Sequence, residues 1–392
     1  MNGLVTKNSV FVLPESKVKT IREFAKKKLK ETPFPTTQNE SFRKFPLASL
    51  DLKSLGVDDS GNAGYAAENG EEFPISNTEW EIILNSFIQN APNQYFSYLT
   101  LTLAQSYRLT VFSESGEVLN SAELAREGSD FFVNIIYIKP NLKVKLIEDW
   151  NTGNNSEDEN LRVLGSVGFY FVSENTQVSV LHKQNFDENL YHFSNFFSAS
   201  EKNSTFNFHF YPLGGFRSKE FFTAHLLGEN SSVFVDGVSA LGARELKDLE
   251  MEIRHLAHYT TSKISYKTIV TDKAHHLFTG NLIIPPNLKK VNAHQESFNL
   301  SLNKKARAEA NPKLEVLAED VSCTHGATVG EINEEQYFYL LCRGLTPGEA
   351  KSLLVTAFYG ETIHSMDFSD SEKSDLESKI KTIVIGGKNN GV

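Results

Sequence analysis

Cys323-Thr324-His325 is where residue types and spacing in this sequence come closest to chemistry. In an extended chain, residues i and i+2 leave the same face. The thiol and the imidazole would then be neighbours on one side of a strand. A soft sulfur beside an imidazole suits iron, zinc or copper. Two donors are half a ligand set, so the rest must come from elsewhere in the chain or from a partner. The competing reading is packing, because a free cysteine behaves as a small, commonly buried hydrophobe. Face parity is also open. A strand running straight on from Leu314 puts Cys323 on the face of Glu315 rather than Val316, unless the Glu319-Asp320 step turns the chain.

Other donors are weaker. His255 and His258 have a metal-like spacing but follow a strand, where i and i+3 point to opposite faces. His275 and His276 are adjacent, and Cys342 sits mid-helix between Leu341 and Arg343, where core packing or groove lining accounts for it. Several chemistries have no motif. There is no G-x-x-x-x-G-K-[ST] loop, hence no ATP site by that route, and no G-x-G-x-x-G or H-E-x-x-H. GVSALG at 237 has one residue too many for a nucleophile elbow. The absence of Cys-x-x-Cys means the chain alone cannot hold a four-thiolate iron–sulfur cluster. No catalytic pair of carboxylates stands out.

Composition narrows the partners. The chain has 392 residues, 39 basic against 49 acidic, and a net charge of −10. That argues against a nucleic-acid partner, which needs a basic surface to release counterions, and against an anionic membrane. Two cysteines are no disulfide framework. No apolar run approaches the roughly 18 residues of a membrane span. The N-terminal MNGLVTKNSVFVLPESK has an apolar patch too short for a signal-peptide core. A cytoplasmic, reducing setting is expected, and the Asn-x-Ser/Thr sites at Asn203 and Asn230 then carry no glycan. Phenylalanine is abundant, at 29 residues, which suits sheets and stacked strands.

The elements follow from periodicity. Residues 17–30 read as a short basic helix, 51–77 as a long polar loop, and 79–90 as a second helix with Trp80, Ile83, Leu84 and Phe87 at helical spacing. From about 96 to 330 the period is 2. Leu142, Val144 and Leu146 alternate with lysines; Phe206, Phe208 and Phe210 with Asn207 and His209; Leu249, Met251 and Ile253 with glutamates; Phe298, Leu300 and Leu302 with Asn299 and Ser301. A sandwich, a barrel and a β-helix all fit, and no strict hexapeptide or nonapeptide repeat decides between them. Helical punctuation returns at 331–392. Asn333 and Gln336 look like a capping box and Gly344 like a C′ residue. Thr346, Pro347 and Glu349 then start a second helix, expected to stop at Gly360. A weaker helix is expected around Lys373–Val384.

The segment PKLEVLAEDVSCTHGATVGEINEEQYFYLLCRGLTPGEAKSLLVTAF resembles the C-terminal signature of the SufB/SufD family of iron–sulfur cluster assembly scaffolds. HLAHYTTSKISYKTIVTDKAHHLFTGNLII and QESFNLSL precede it in matching order. Strong resemblance covers residues 254–358. FPTTQNESFRKFPL, ending at Leu47, is a weaker echo, with Phe42 where tryptophan is usual. His325-Gly326-Ala327-Thr328, where SufB-like chains carry His-Glu-Ala-Thr, makes the chain more similar to SufD. Glu319-Asp320 stands where the family often has Asp-Asp.

The resemblance implies a mainly β fold: a right-handed parallel β-helix core at 96–330 between an N-terminal helical region, 1–95, and a C-terminal helical domain, 331–392. It implies a non-catalytic scaffold subunit, cytoplasmic or in a plastid stroma. It implies pairing with SufB through the β-helices, and docking of the SufC ATPase on the C-terminal helices through Tyr337, Phe338, Leu341, Leu353, Leu354 and Phe358. A nascent iron–sulfur cluster would form at the shared interface, with His325 as this chain's main contribution and Cys323 beside it. Some family complexes are described with reduced flavin, but no flavin site is visible in this sequence. A chain without its SufB could pair with itself. A β-helix enzyme acting on polysaccharide and a structural β-solenoid are the readings from other classes.

Overall fold

Period-2 runs of branched and aromatic residues build two parallel sheets that face each other around a narrow lumen. The computed structural model describes residues 9–47, 50, 74–91, 94–123, 129–152 and 161–385. One sheet holds β2 (Ser106–Phe112), β4 (Asp130–Ile138), β6 (Arg162–Val172), β8 (Leu190–Ser200), β10 (Arg217–Leu226), β12 (Leu246–His255), β14 (His275–Ile284) and β16 (Arg307–Val316). β1 (Ser9–Val12) closes that sheet antiparallel on β2. The other holds β3 (Gly116–Glu123), β5 (Lys143–Asn151), β7 (Gln177–Phe186), β9 (Thr205–Gly214), β11 (Ser232–Leu241), β13 (Thr261–Val270), β15 (Lys289–Ser301) and β17 (Asp320–Glu331). Each strand pairs with the strand two places on, so the chain winds as a parallel β-solenoid, the β-helix of the sequence reading. The helices are α1 (Glu15–Glu31), α2 (Asn77–Asn90), α3 (Tyr95–Leu103), α4 (Glu334–Cys342), α5 (Pro347–His364) and α6 (Asp370–Val384). The polar loop expected at 51–77 lies, as far as residue 73, outside the described residues.

Phenylalanine fills the lumen. Phe206, Phe208 and Phe210 point inward from β9, and Phe208 stacks on Phe222 of the opposite sheet at 4.8 Å and 15°. Burying each such ring is worth roughly 2–3 kcal/mol. Outside the lumen, α1–α3 cover the first sheet, where Phe96 stacks on Phe193 at 3.7 Å. On the second sheet, α5 and α6 pack Val355, Tyr359, Leu376 and Ile380 against Leu181, Tyr211 and Val238. Strands in the middle are therefore buried on both faces, as β6 and β8 are along their whole length.

One corner of the solenoid repeats. Asn141, Asn175, Asn203 and Asn230 all have φ between 55° and 65°. Their side chains form a ladder: Asn175 donates to Asn141 at 3.2 Å, Asn203 to Asn175 at 2.9 Å and Asn230 to Asn203 at 3.1 Å. Asparagine tolerates this left-handed backbone better than most residues.

Local signals set the helix ends. Ser76 and Glu79 form a reciprocal capping box on α2, and Thr346 and Glu349 do so on α5, with Pro347 in its first turn. Asn333 caps α4, and Gly344 takes φ +92° after it. Gly360 does not end α5, which runs on to His364. Burial of Tyr359 and Ile363 outweighs the roughly 1 kcal/mol propensity penalty of a helical glycine. α3, YFSYLTLTL, has a strand-like composition and was not visible in the periodicity. It is helical because it is buried almost all round, between α1 and the first sheet.

Candidate functional site

Among the described residues, β17 is the last strand of its sheet and pairs on one side only, with β15. Its other edge presents unpaired backbone N–H and C=O groups, a template for a further strand. The chain turns between Val316 and Asp320, which resolves the parity question. Val316 and Cys323 both face the lumen, one from each sheet. Cys323 lies in register with Ala293 and His325 with Gln295.

The thiol and the imidazole thus leave the same lumenal face of the terminal strand, about 7 Å apart along it. Their environments differ. Cys323 is half-buried against the lumen core. Burial pushes its thiol above the usual range, against the pull of a backbone hydrogen bond from Ala293. His325 is exposed, and no protein group among the described residues holds its ring. Ligation by Cys323 would have to displace a firmly held proton, whereas an imidazole ligates in its neutral form. Thr324 points away and contacts His294 Nδ1 at 2.5 Å. Among the described residues no group of three His, Cys, Asp or Glu side chains is placed to hold a metal. The terminal strand offers two donors, which is half a set.

The other histidines are structural. His255 is buried and hydrogen-bonded to Thr260 and Ser262 at 2.7 and 2.9 Å; burial lowers its pKa to about 4. His258 accepts from the Lys289 backbone N–H at 3.2 Å, outside the strand. His275 pairs with Glu309 at 2.9 Å on the outer face while His276 points into the lumen.

The C-terminal helix pair forms a second exposed feature. α4 buries none of its side chains. Phe338 is 67% exposed, Tyr339 55% and Leu353 49%. Tyr337, Leu341 and Leu354 are half-buried. Phe358 turns inward against the helix–sheet core, and its carbonyl accepts from Lys267 Nζ at 2.7 Å. Sequence reasoning missed Tyr339, whose position on a short amphipathic helix was the available signal. It also missed Gln295. Phe298 and Leu300 suggested an apolar inner face for β15, but Phe298 faces outward and Leu300 packs on the C-terminal helices; the buried face is Val291 and Ala293 followed by Gln295, Ser297 and Asn299.

Residues 121–358 match the family model described as SUF system FeS cluster assembly, SufBD core domain. Among curated proteins, the chain is 32% identical over 158 residues to the iron–sulfur cluster assembly protein SufD of Escherichia coli, covering 40% of this chain and 37% of the relative. It is 29% identical over 194 residues to a SufBD family iron–sulfur cluster assembly protein of Synechocystis, covering 49% and 43%. It is 29% identical over 162 residues to SufD of Bacillus subtilis, covering 41% and 37%. The matched part thus spans about two fifths of the length of these relatives. No helix among the described residues is long and apolar enough to cross a membrane.

Proposed function

The chain belongs to the SufBD family of iron–sulfur cluster assembly proteins, and on that premise we propose that it is a SufD-like scaffold subunit that completes a cluster-building site with a second chain. The observation that carries this reading is the terminal strand. An unpaired sheet edge displays a free imidazole and a half-buried thiol on one face, so a partner that adds its strands there also brings its ligands beside them. SufB is the partner proposed. The nascent cluster is cargo, with His325 supplying one neutral nitrogen and Cys323 standing beside it as a second donor once its proton is lost.

The exposed α4–α5 surface is proposed as the dock for SufC. Phe338, Tyr339 and Leu353 offer ordered apolar area, which binds through desolvation. Tyr337, Leu341 and Leu354 flank it, and Phe358 braces α5 on the solenoid. ATP hydrolysis would reside in that partner. For ATP to rearrange the scaffold pair, SufC must bind the rearranged state more tightly than the resting one, because equal affinity shifts nothing. Moving such an equilibrium from 1:99 to 99:1 takes about 5.5 kcal/mol of differential affinity.

Co-expression with SufB and SufC of the same organism tests the assignment. A complex with one copy of this chain, one SufB and two SufC is expected. His325→Ala is expected to abolish cluster formation while leaving complex mass unchanged. A normal cluster in that variant, or no association with either protein, would overturn the reading. Self-association of the isolated chain through the β17 edge is the expected state when SufB is absent.

A further inference from the structure

One side of the solenoid lumen is polar, where the starts of the first-sheet strands face the ends of the second-sheet strands; phenylalanines of both sheets, Phe196 and Phe222 from one and Phe206 and Phe208 from the other, line the rest. His192, Ser218, Lys247 and His276 stand in register on β8, β10, β12 and β14, and all four are buried. Direct hydrogen bonds join parts of this polar side across the two sheets. Glu148 Oε2 accepts from Tyr170 at 2.5 Å and contacts His182 Nδ1 at 2.9 Å; His182 Nε2 meets Gln184 Nε2 at 3.1 Å. Ser166 Oγ meets His192 Nε2 at 2.9 Å, and Thr268 Oγ1 meets His276 Nδ1 at 3.3 Å. Asn299 Nδ2 donates to Ser297 Oγ at 3.1 Å.

Between these fragments are buried polar atoms with no hydrogen-bond partner among the described residues: Gln184 Oε1, Ser194 Oγ, Glu220 Oε2, His276 Nε2, Gln295 Oε1 and Asn299 Oδ1. Their residues are at most 3% exposed. Buried polar atoms are ordinarily satisfied by protein or by ordered water, and such water is part of the structure. Small side chains face inward on this side of the lumen: Ser194 and Ser218 from the first sheet, Ser239 and Ser297 from the second. The sequence of fragments runs along the solenoid axis from β5 to β15, roughly 24 Å at the inter-strand spacing. It ends at Gln295, the register partner of His325 on the exposed terminal strand.

We propose that a file of ordered water fills this side of the lumen and forms a proton path between the buried Glu220–His192 pair, whose Oε1 and Nδ1 lie 3.5 Å apart, and the terminal coil that carries His325. Each proton entering at one end is matched by one leaving at the other, handed between water and the Glu, His, Thr and Asn groups. Its use rests on the scaffold assignment: the file joins the terminal coil to the far end of the lumen, so that coil stays in proton exchange with the lumen when a partner covers its outer edge.

Exchange of histidine ring hydrogens into D2O, followed by NMR on the isolated chain labelled at histidine, tests the file without any partner. If water reaches them, the ring hydrogens of His192 and His276 exchange at least about 100-fold faster than the amides of β8 and β14 around them. If the lumen is dry, both must await the same opening and exchange together, which overturns the proposal. Asn299→Leu removes polar atoms near the open end at similar volume. It is expected to slow His276 ring exchange at least about tenfold with strand amides unchanged; an unchanged ring rate would also overturn the path. The wild-type comparison decides the matter even if this variant does not fold. A wet lumen together with normal clusters in His325→Ala would leave the file standing and remove the scaffold role. A dry lumen with clusters lost in His325→Ala would overturn the file and leave the scaffold role standing.

Discussion

Tyr259 occupies the ladder corner after Asn230, with φ +60° and 53% exposure. The backbone continues the pattern: Asn230 N–H donates to His258 O, and Tyr259 N–H to Lys289 O at 3.0 Å. The side chain does not, because a ring cannot supply the amide rung. Tyr259→Asn should therefore stabilise the corner. The left-handed region costs an ordinary residue roughly 1–2 kcal/mol, and the several-fold preference of asparagine for it recovers about 1 kcal/mol of that. A new rung to Asn230 at an exposed site adds about 0.5 kcal/mol. Against this, the edge contact between the Tyr259 and His258 rings at 6.3 Å is lost, worth about 0.5 kcal/mol. The net expectation is about 1 kcal/mol of stabilisation. In a chain this long that moves Tm by only about 1–2 °C, so a local measurement is better. Native-state hydrogen exchange at the Asn230 and Tyr259 amides should slow about fivefold. Asn230→Tyr is the mirror experiment and should speed exchange by at least as much, since it breaks an existing rung. Unchanged or faster exchange in Tyr259→Asn, with a neutral Asn230→Tyr, would refute the claim that the ladder stabilises this corner.

Three further outcomes are expected. Lys183 is nearly buried between Asp149 at 2.9 Å, Glu372 and Asp375, the last of which also pairs with Lys379 at 2.9 Å; Lys183→Met should leave the partly exposed Asp149 and Glu372 without their cation, cost about 1–3 kcal/mol, and make α6 the first site of limited proteolysis. His255 has its pKa lowered from the ordinary 6.5 to about 4 by burial, so its contribution is present above pH 6.5 and is lost as pH falls through 4. Denaturant titrations should show the wild-type advantage over His255→Gln shrinking by roughly 3 kcal/mol across that window; Glu245, raised to about 7 by burial, works with the opposite sign in both proteins and cancels. Phe338→Asp should abolish capture of SufC in a pull-down while leaving unfolding unchanged, since Phe338 is two-thirds exposed; a destabilised variant would mean that Phe338 packs within the chain.

What the sequence disclosed follows the range of the forces involved. Helix ends were legible because their signals are local. Thr346, Pro347 and Glu349 form the start of α5 from residues within one turn. Gly360 misled because the burial that carries α5 past it comes from sheet residues more than a hundred positions away. Single strands were legible from alternation, but alternation does not say which face is lumen. On the second half of β15, Phe298 and Leu300 face away from the lumen while Gln295, Ser297 and Asn299 follow Val291 and Ala293 inside. The β-helix could have been read from the ladder. Asn141, Asn175, Asn203 and Asn230 lie 34, 28 and 27 residues apart, one per coil. The uneven first interval, and Tyr259 in the next position, hid the repeat from a search for short strict periods. Cys323 and His325 were found from spacing and resemblance. Their relation to an open edge was not visible, because an edge is defined by strands that are missing.

That edge ties the architecture to the task. In a solenoid each coil is stabilised mainly by its neighbours, so the two end coils are the weak points and need covers. At one end, β1 pairs with β2, and α1–α3 bury the first coils under aromatic side chains. At the other, among the described residues, β17 stays unpaired along its outer edge, with most of its side chains exposed. Such an end is a liability for a chain on its own. The same coil carries the one juxtaposed thiol and imidazole in the described residues, each short of co-ligands. The missing strand pairing and the missing ligands therefore call for the same remedy, a second chain seated on β17. If so, stability and ligand completion should be coupled: saturating the edge with SufB should protect the β17 amides from exchange and raise metal affinity at His325 together. Protection of β17 by SufB without any effect of His325→Ala on metal binding would separate the two and show that the edge serves assembly alone.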